Sequence, residues 1–283
     1  MATMFKPQKA LDFDGALLLE LQGDVSDKIV RDLLNDLPSL SPSSVVHDNG
    51  CGYGAVTRAI MASNPPEGIQ IHATDVTRLF MDKLEEKMKE NPSWPVTLET
   101  MDACTLTFPD NTFSLSFSTF IFSGLKDDVS AAAHILRTLK PGGTGVIAVW
   151  NNMPWHTALE NAHRKFRGEG EPMAPFLSTS WYKGGKVRDV TKEAGWNPND
   201  IEFVVKEAWI NMGVDLRRWA TIAWSFLAVP KGGWKQADED NWDEAIDSIA
   251  KELLELDGSW HKVEDGVHKI RMVADVAIMR KQE

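Results

Sequence analysis

Val45–Val46–His47–Asp48–Asn49–Gly50–Cys51–Gly52–Tyr53–Gly54 is the stretch of this 283-residue chain whose reading decides the fold. Apolar residues run into an acid, and glycines then recur at alternate positions. Residues 43–49, SSVVHDN, read as a short buried strand. The glycines after it permit positive φ and let a ligand come close to the backbone where a Cβ would intrude. A helix extends from the turn to Ser63, where Asn64, Pro65 and Pro66 stop it, and its first amides lack intrahelical partners. Strand, glycine turn and helix in this order make a nucleotide-binding unit. The turn alone does not choose the nucleotide, because Ala55 also completes the looser dinucleotide pattern G-x-G-x-x-G/A.

Downstream the cycle repeats. IQIHATD (69–75) reads as the second strand, and Thr77–Glu90 as a helix with Phe80, Leu84 and Met88 on one face, closed by Asn91–Pro92. VTLETMD (96–102) and TFSLSFSTF (112–120) are the third and fourth strands. In the fourth, Phe113, Leu115 and Phe117 alternate with serines, as in a strand with one greasier face. Helix Asp127–Leu139 runs into Lys140–Pro141–Gly142–Gly143, expected as a turn, before the fifth strand TGVIAVW (144–150). Upstream, Val25, Ile29, Val30, Leu33, Leu34 and Leu37 recur at helical spacing between Asp24 and Pro38.

Past Trp150 the rhythm loosens. A helix is expected near Lys186–Ala194, a strand at Ile201–Ile210, helices at Leu216–Leu227 and Asn241–Leu256, and a last strand at Val267–Met279. Alternating strands and helices predict an α/β fold with a parallel sheet covered on both faces. The expected organisation is one domain over 1–283. It comprises an N-terminal helical lid at 1–40, a cofactor-binding core at 41–150 and substrate-side elements at 151–283, with a helical insertion over 211–260 before the final strands.

Bulk properties narrow the partners. With 43% hydrophobic and 25% charged residues, the chain can bury a sizeable core. A net charge of −11 disfavours nucleic acid, which is held by concentrated basic surface. The first fifteen residues lack the apolar core of a signal peptide, and no apolar run approaches the ~20 residues needed to cross a bilayer. The expectation is a cytoplasmic protein acting on a small molecule, with no membrane or nucleic-acid partner and with a monomer favoured. Cys51 and Cys104 are the only cysteines, so neither a disulfide framework nor a zinc cluster is available and no metal is expected.

Three acids at strand ends move the cofactor towards S-adenosylmethionine. Asp48 puts a carboxylate where an ammonium-bearing ligand benefits and a pyrophosphate would be repelled. Asp75, ending the second strand, is placed for ribose hydroxyls, a role common to both nucleotide families. Asp102–Ala103, ending the third, can offer a carboxylate and a backbone amide to an adenine edge. Thr119, Phe120 and Phe122 after the fourth strand complete the crevice, because ligands of open α/β sheets bind at the carboxyl ends of the strands.

With Asp48-x-Gly50-x-Gly52-x-Gly54, Asp75, Asp102–Ala103 and Leu139–Lys140–Pro141–Gly142–Gly143 in order, the chain resembles the class I S-adenosylmethionine-dependent methyltransferases, closely over residues 25–150 and loosely beyond. The resemblance implies a Rossmann-like fold with a mostly parallel seven-stranded sheet, helices on both faces and an inserted helical cap. It implies S-adenosylmethionine as cofactor and S-adenosylhomocysteine as product, held by Asp48, Asn49, Gly50, Gly52, Asp75, Val76, Asp102, Ala103, Thr119 and Phe120. The layout and the later, tryptophan-rich part are similar to fungal methyltransferases of secondary metabolites. That similarity implies S-methylation of the two thiols of a reduced epidithiodiketopiperazine such as dithiol gliotoxin. O- or N-methylation of another metabolite, and an NAD(P)-dependent oxidoreductase, stay open as alternatives.

Ten of the eleven tryptophans stand at position 150 or later, which points to an aromatic substrate side. Phe122, Trp150, Trp155, Phe176 and Trp181 are the aromatics expected nearest the crevice mouth, where ring faces could meet a sulfonium or pack an apolar acceptor; core packing is the competing role for each. Phe5 and Phe13 could close a lid. A thiol, with a pKa near ~8.5, is partly ionised at neutral pH and needs no strong base, unlike a hydroxyl. His134, His156, His163 and His261 are the available bases, none is tied to the crevice, and the catalytic residues stay unassigned. The position of Cys51 in the turn is accounted for by small size.

Overall fold

The structure is a computed structural model that describes residues 5–178, 180–183 and 185–283. Its contacts divide the chain into two compact units. The first, here the core unit, comprises Ser26–Asn151, Ser180–Lys206 and Val273–Glu283; the second comprises Met1–Val25, Asn152–Thr179 and Glu207–Met272.

The strands are β1 (Val45–Asn49), β2 (Gln70–Asp75), β3 (Val96–Thr100), β4 (Phe113–Thr119), β5 (Leu139–Asn152), β6 (Ile201–Asn211), β7 (His261–Glu264) and β8 (Val267–Arg280). They run β3-β2-β1-β4-β5-β8-β6 across one sheet, with β7 paired to β8 off that path. Pairs β1–β2, β1–β4, β2–β3 and β4–β5 are parallel. The order reverses beside β1, the arrangement that opens a crevice at the strands' carboxyl ends. The sheet has eight strands where seven were expected. The addition is β7, folded antiparallel onto β8 from His261↔Ile270 to Glu264↔Val267. Between them Asp265 and Gly266 both take positive φ, the backbone of a two-residue hairpin turn that Asp-Gly favours.

In the core unit, helices α2 (Val25–Leu33), α3 (Ala55–Ala62), α4 (Arg78–Glu90), α5 (Asp128–Thr138) and α7 (Lys186–Glu193) cover the sheet. Alternate residues of β5 go to opposite faces. Ile147 and Val149 join Ala131, Ile135, Val187 and Val190, while Val146 and Ala148 join Val30, Leu33, Val56 and Ile60. That period of two is what a strand buried on both faces requires. The helix expected over 24–37 ends at Leu33 and tightens into a 3-10 turn at Leu34–Asp36.

The serine face of β4 is buried as well as the greasier one: Ser116 and Ser118 are fully buried, and Ser118 Oγ accepts from Asn49 Nδ2 at 2.9 Å. Ser114 Oγ both accepts from the amide and donates to the carbonyl of Val45. Hydrogen bonds to β1 thus satisfy what burial would otherwise leave unpaired. Lys140–Gly143, expected as a turn, lies within β5 as an irregular stretch: the register with β4 shifts between Leu139 and Thr144, and Gly142 has φ +75. Gly142 N donates to Lys281 O at 2.8 Å and Lys281 N to Gly143 O at 2.9 Å, so the residues after β8 tie this stretch into the sheet.

The second unit contains α1 (Gly15–Gln22), α6 (Pro154–Arg167), α8 (Leu216–Leu227), α9 (Gln236–Asp240) and α10 (Trp242–Leu254). Helix α6, absent from the sequence reading, starts with Pro154 in its first turn and stops at Gly168, as helices favour. Its Arg167 is buried with Asp238, Nε to Oδ1 2.7 Å, and lies over the ring of Trp224. Within the expected lid, Arg218 pairs Glu20, Leu11 N donates to Ser225 Oγ, and Trp219 Nε1 donates to Leu21 O. Residues 11–21 are thereby fastened to α8.

Candidate functional site

The glycine turn is stapled to the end of β2. The amides of Gly50 and Cys51 both donate to Thr74 O at 2.8 Å, and Gly52 N donates to Asp75 Oδ2 at 3.0 Å. The other carboxylate oxygen of Asp75 accepts from Thr77 N at 3.2 Å, so one side chain sets both the turn and the start of α4. Gly50, Gly52 and Gly54 all have positive φ, but only two are tightly packed. A Cβ on Gly50 would meet Ile121 Cγ2 at 2.5 Å and one on Gly54 would meet Leu84 Cδ1 at 2.7 Å, whereas nothing lies within 4 Å of one on Gly52. That open side of the turn is where a ligand can approach the backbone.

Asp48 is 2% exposed, and its Oδ2 accepts from both the amide and the hydroxyl of Thr57, at 3.1 and 2.7 Å. Burial pushes its carboxyl up to about 6 against these hydrogen bonds. Asn49, 1% exposed, has an Oδ1 with no partner among the described residues. Val76, directly after Asp75, is an apolar residue 64% exposed. Asp102 is exposed and caps the turn after β3 through Cys104 N at 2.8 Å, and Ala103 is buried. An open glycine backbone, an unpartnered buried acceptor and a bare apolar side chain beside two carboxylates fit a nucleoside bearing an ammonium group. Burial, with the Asp48 and Asp75 carboxylates adding to it, pushes the Cys51 thiol up, so this thiol stays protonated and is no nucleophile.

Beyond β4, Phe120 has φ +63, an uncommon backbone for a bulky side chain. Its ring stacks on Trp150 of β5 with centroids 3.8 Å apart, while Phe120 N donates to Ala148 O at 2.8 Å. Thr119 and Trp150 are half-buried. Phe122 is fully buried, edge-on to Trp181 at 5.3 Å. Trp181 donates from Nε1 to Asp128 Oδ2 at 3.2 Å, so both sit in the core beside α5. Trp155 and Phe176 belong to the second unit, where their rings lie 6.2 Å apart and Trp155 also meets Trp219 edge-on. Within the core unit, Trp150 thus pairs with Phe120 and Phe122 with Trp181.

Each histidine among the four weighed as bases is tied to a structural partner. Arg137 Nη2 lies 3.0 Å from His134 Nδ1, Arg167 Nη1 lies 2.9 Å from His163 Nδ1, and His261 Nε2 lies 3.0 Å from His268 Nδ1. Burial lowers all three, with Arg137, Arg167 and His268 respectively adding to it. His156 is likewise lowered by burial, opposed by Glu160. Sequence reasoning passed over a carboxylate instead: Asp275 of β8, half-buried, accepts from Asn151 Nδ2 at the end of β5 at 3.0 Å. No motif marks it, because β8 lies next to β5 only in space.

Known proteins agree with this geometry. Residues 47–147 match the family model described as a methyltransferase domain. Methyltransferase ktnA of Aspergillus niger is 22% identical over 75% of this chain and 77% of its own. Among solved structures, a Bacillus halodurans protein described as a candidate methyltransferase superposes with TM-score 0.58 at 15% identity, over 89% of this chain and 99% of its own. Phosphoethanolamine N-methyltransferase 2 of Haemonchus contortus, in complex with phosphomonomethylethanolamine and S-adenosylhomocysteine, does so with TM-score 0.53 at 18% identity, over 90% and 52%. The fold is the Rossmann-like methyltransferase fold.

Proposed function

We propose that this chain, which matches a methyltransferase domain over residues 47–147, is a class I S-adenosylmethionine-dependent methyltransferase whose acceptor is a small dithiol, of the kind presented by a reduced epidithiodiketopiperazine such as dithiol gliotoxin, methylated on both sulfurs. S-adenosylmethionine is the cofactor and supplies a methyl group activated by its sulfonium. Asp75 would hold the ribose while setting the turn, Val76 would cover the adenine with Asp102 and Ala103 at its edge, and Asn49, Gly50 and Gly52 would border the amino-acid end. Asp48, held by Thr57, acts on that end as a fixed negative field rather than as a mobile ligand. The stacked Phe120 and Trp150 would wall off water from the transfer, which proceeds best in a water-poor, positioned geometry.

The observation that carries the thiol reading is the state of the histidines. Each of the four lies against a structural neighbour, Arg137, Glu160, Arg167 or His268, which supports an acceptor that does not depend on one of these imidazoles as its base. An acceptor that ionises near neutrality suits such a site. The similarity to an Aspergillus methyltransferase supports a fungal setting. Cofactor carrying a labelled methyl, incubated with thiol, phenol and amine metabolites and read by mass spectrometry, tests this. A dithiol gaining two methyls is the expected product; label on phenol or amine alone would refute it. Tight binding of NAD in place of S-adenosylhomocysteine would favour an oxidoreductase.

A further inference from the structure

We infer that Asp275 is the proton acceptor for the methyl-accepting group and that Asn151 is its positioning residue. Both belong to the core unit. Asn151 stands at the carboxyl end of β5, the sheet edge where Gly50, Phe120 and Trp150 also lie, and β8 brings Asp275 level with it. The two side chains meet at 3.0 Å. Both are half-buried. Asp275 therefore remains within reach of solvent and of a ligand, unlike Asp48.

Asp275 is held by an amide and keeps one oxygen open. Among the described residues its recorded partner is the neutral amide of Asn151, and no lysine, arginine or histidine pairs with it. Here the amide fixes one oxygen, Oδ1, and among the described residues the second, Oδ2, has no hydrogen-bond donor. Positioned acceptor, unfilled oxygen and strand-end location together are what a general base needs. The other carboxylates of the edge are engaged otherwise: Asp48 by Thr57, Asp75 by Gly52 and Thr77, and Asp102 by Cys104.

For a thiol acceptor the step balances simply. The S–H bond breaks and its proton passes to Asp275. The acceptor sulfur forms a bond to the methyl carbon with the electron pair so released, and the pair of the breaking C–S bond returns to the cofactor sulfur. The carboxyl then yields its proton to water before the second thiol is methylated. A carboxylate is a weak base, and a thiol is an acceptor acidic enough to be served by one.

This inference rests on the thiol reading above. Asp275→Asn, Asn151→Ala and the parent protein are compared for methylation of a dithiol across pH, alongside S-adenosylhomocysteine affinity by calorimetry. Asp275→Asn should lose at least tenfold in kcat at neutral pH, and the deficit should shrink above pH ~9, where the thiol ionises unaided. Cofactor affinity should stay within twofold. Asn151→Ala should lose less and keep the parent's pH profile shape. A constant deficit at all pH values, or full activity of Asp275→Asn at neutral pH, would overturn the base assignment alone. A parent protein that methylates no thiol would overturn the acceptor class beneath it.

Discussion

Thr57, in the first turns of α3, holds the carboxylate of Asp48 at the end of β1 with its amide and its hydroxyl together. The neighbouring His47 is equally buried, its Nε2 3.0 Å from Thr74 Oγ1 and its ring stacked on Phe113. Adjacent residues thus place two titratable groups inside the sheet, and burial drives them in opposite senses.

Burial, helped by His72, lowers His47 from 6.5 to about 3, and burial raises Asp48 from 3.8 to about 6. Below 6.5 the unfolded chain takes up the His47 proton and the folded chain does not, so acid removes stability through His47. Between 6 and 3.8 the folded chain takes up the Asp48 proton first, so acid adds stability through Asp48. From pH 6 to 4 the two should nearly cancel in the cofactor-free protein. Asp48→Asn should leave His47 unopposed, and urea-unfolding stability should then fall by about 1.4 kcal/mol per pH unit relative to the parent. Parallel pH profiles for parent and variant would show that these groups do not titrate so.

Asp75→Ala removes the acceptor of Gly52 N and Thr77 N together with the proposed ribose partner. Calorimetric titration should show S-adenosylhomocysteine binding weakened by ~1–3 kcal/mol. Unchanged affinity would take Asp75 out of the cofactor site.

The glycines of the turn should differ in their tolerance of alanine. Gly52→Ala meets no atom within 4 Å and bears only the left-handed backbone penalty, ~1–2 kcal/mol. Gly50→Ala adds the collision with Ile121 and should destabilise by a further ~1–3 kcal/mol. Thermal unfolding of the two variants compares them directly, and equal losses would contradict the packing described.

Phe120 pairs a strained backbone with a stacked ring. Phe120→Ala loses the stack on Trp150 and keeps the strain, while Phe120→Gly loses both. The glycine variant should be the more stable by ~1–2 kcal/mol, as read from denaturant midpoints. The reverse order would mean that φ +63 costs nothing at this position.

The core half of the fold was readable from residue pattern. The strand ends at Asn49 and Asp75, and the glycine turn, come from local rules of burial and backbone freedom, and these positions act locally. The Asp-Gly pair at 265–266 marked the β7–β8 hairpin in plain chemistry and was passed over because a single long strand also fits Val267–Met279. Helix α6 was missed although Pro154 and Gly168 bracket it. What no pattern could supply was pairing across the sheet: the hydrogen bonds of the β4 serines to β1, the tie of Gly142 and Gly143 to Lys281, and the meeting of Asn151 with Asp275 all depend on which strand lies beside which. Aromatic mass misled in a related way. Phe122 and Trp181 look like pocket walls by position, yet they fill the space between β4 and α5.

The strand order has a consequence for how the chain is made. β8 lies between β5 and β6, yet it is synthesised after both. Until residues 267–280 emerge from the ribosome, the inner edge of β5 has no strand beside it, and β6 and β7 have no strand to pair with. Such distant pairings close slowly, and an uncovered apolar edge is where nascent chains stick to one another. Yield in the cell should therefore depend on how long that edge stays open, a pressure towards chaperone escort that the finished molecule no longer displays.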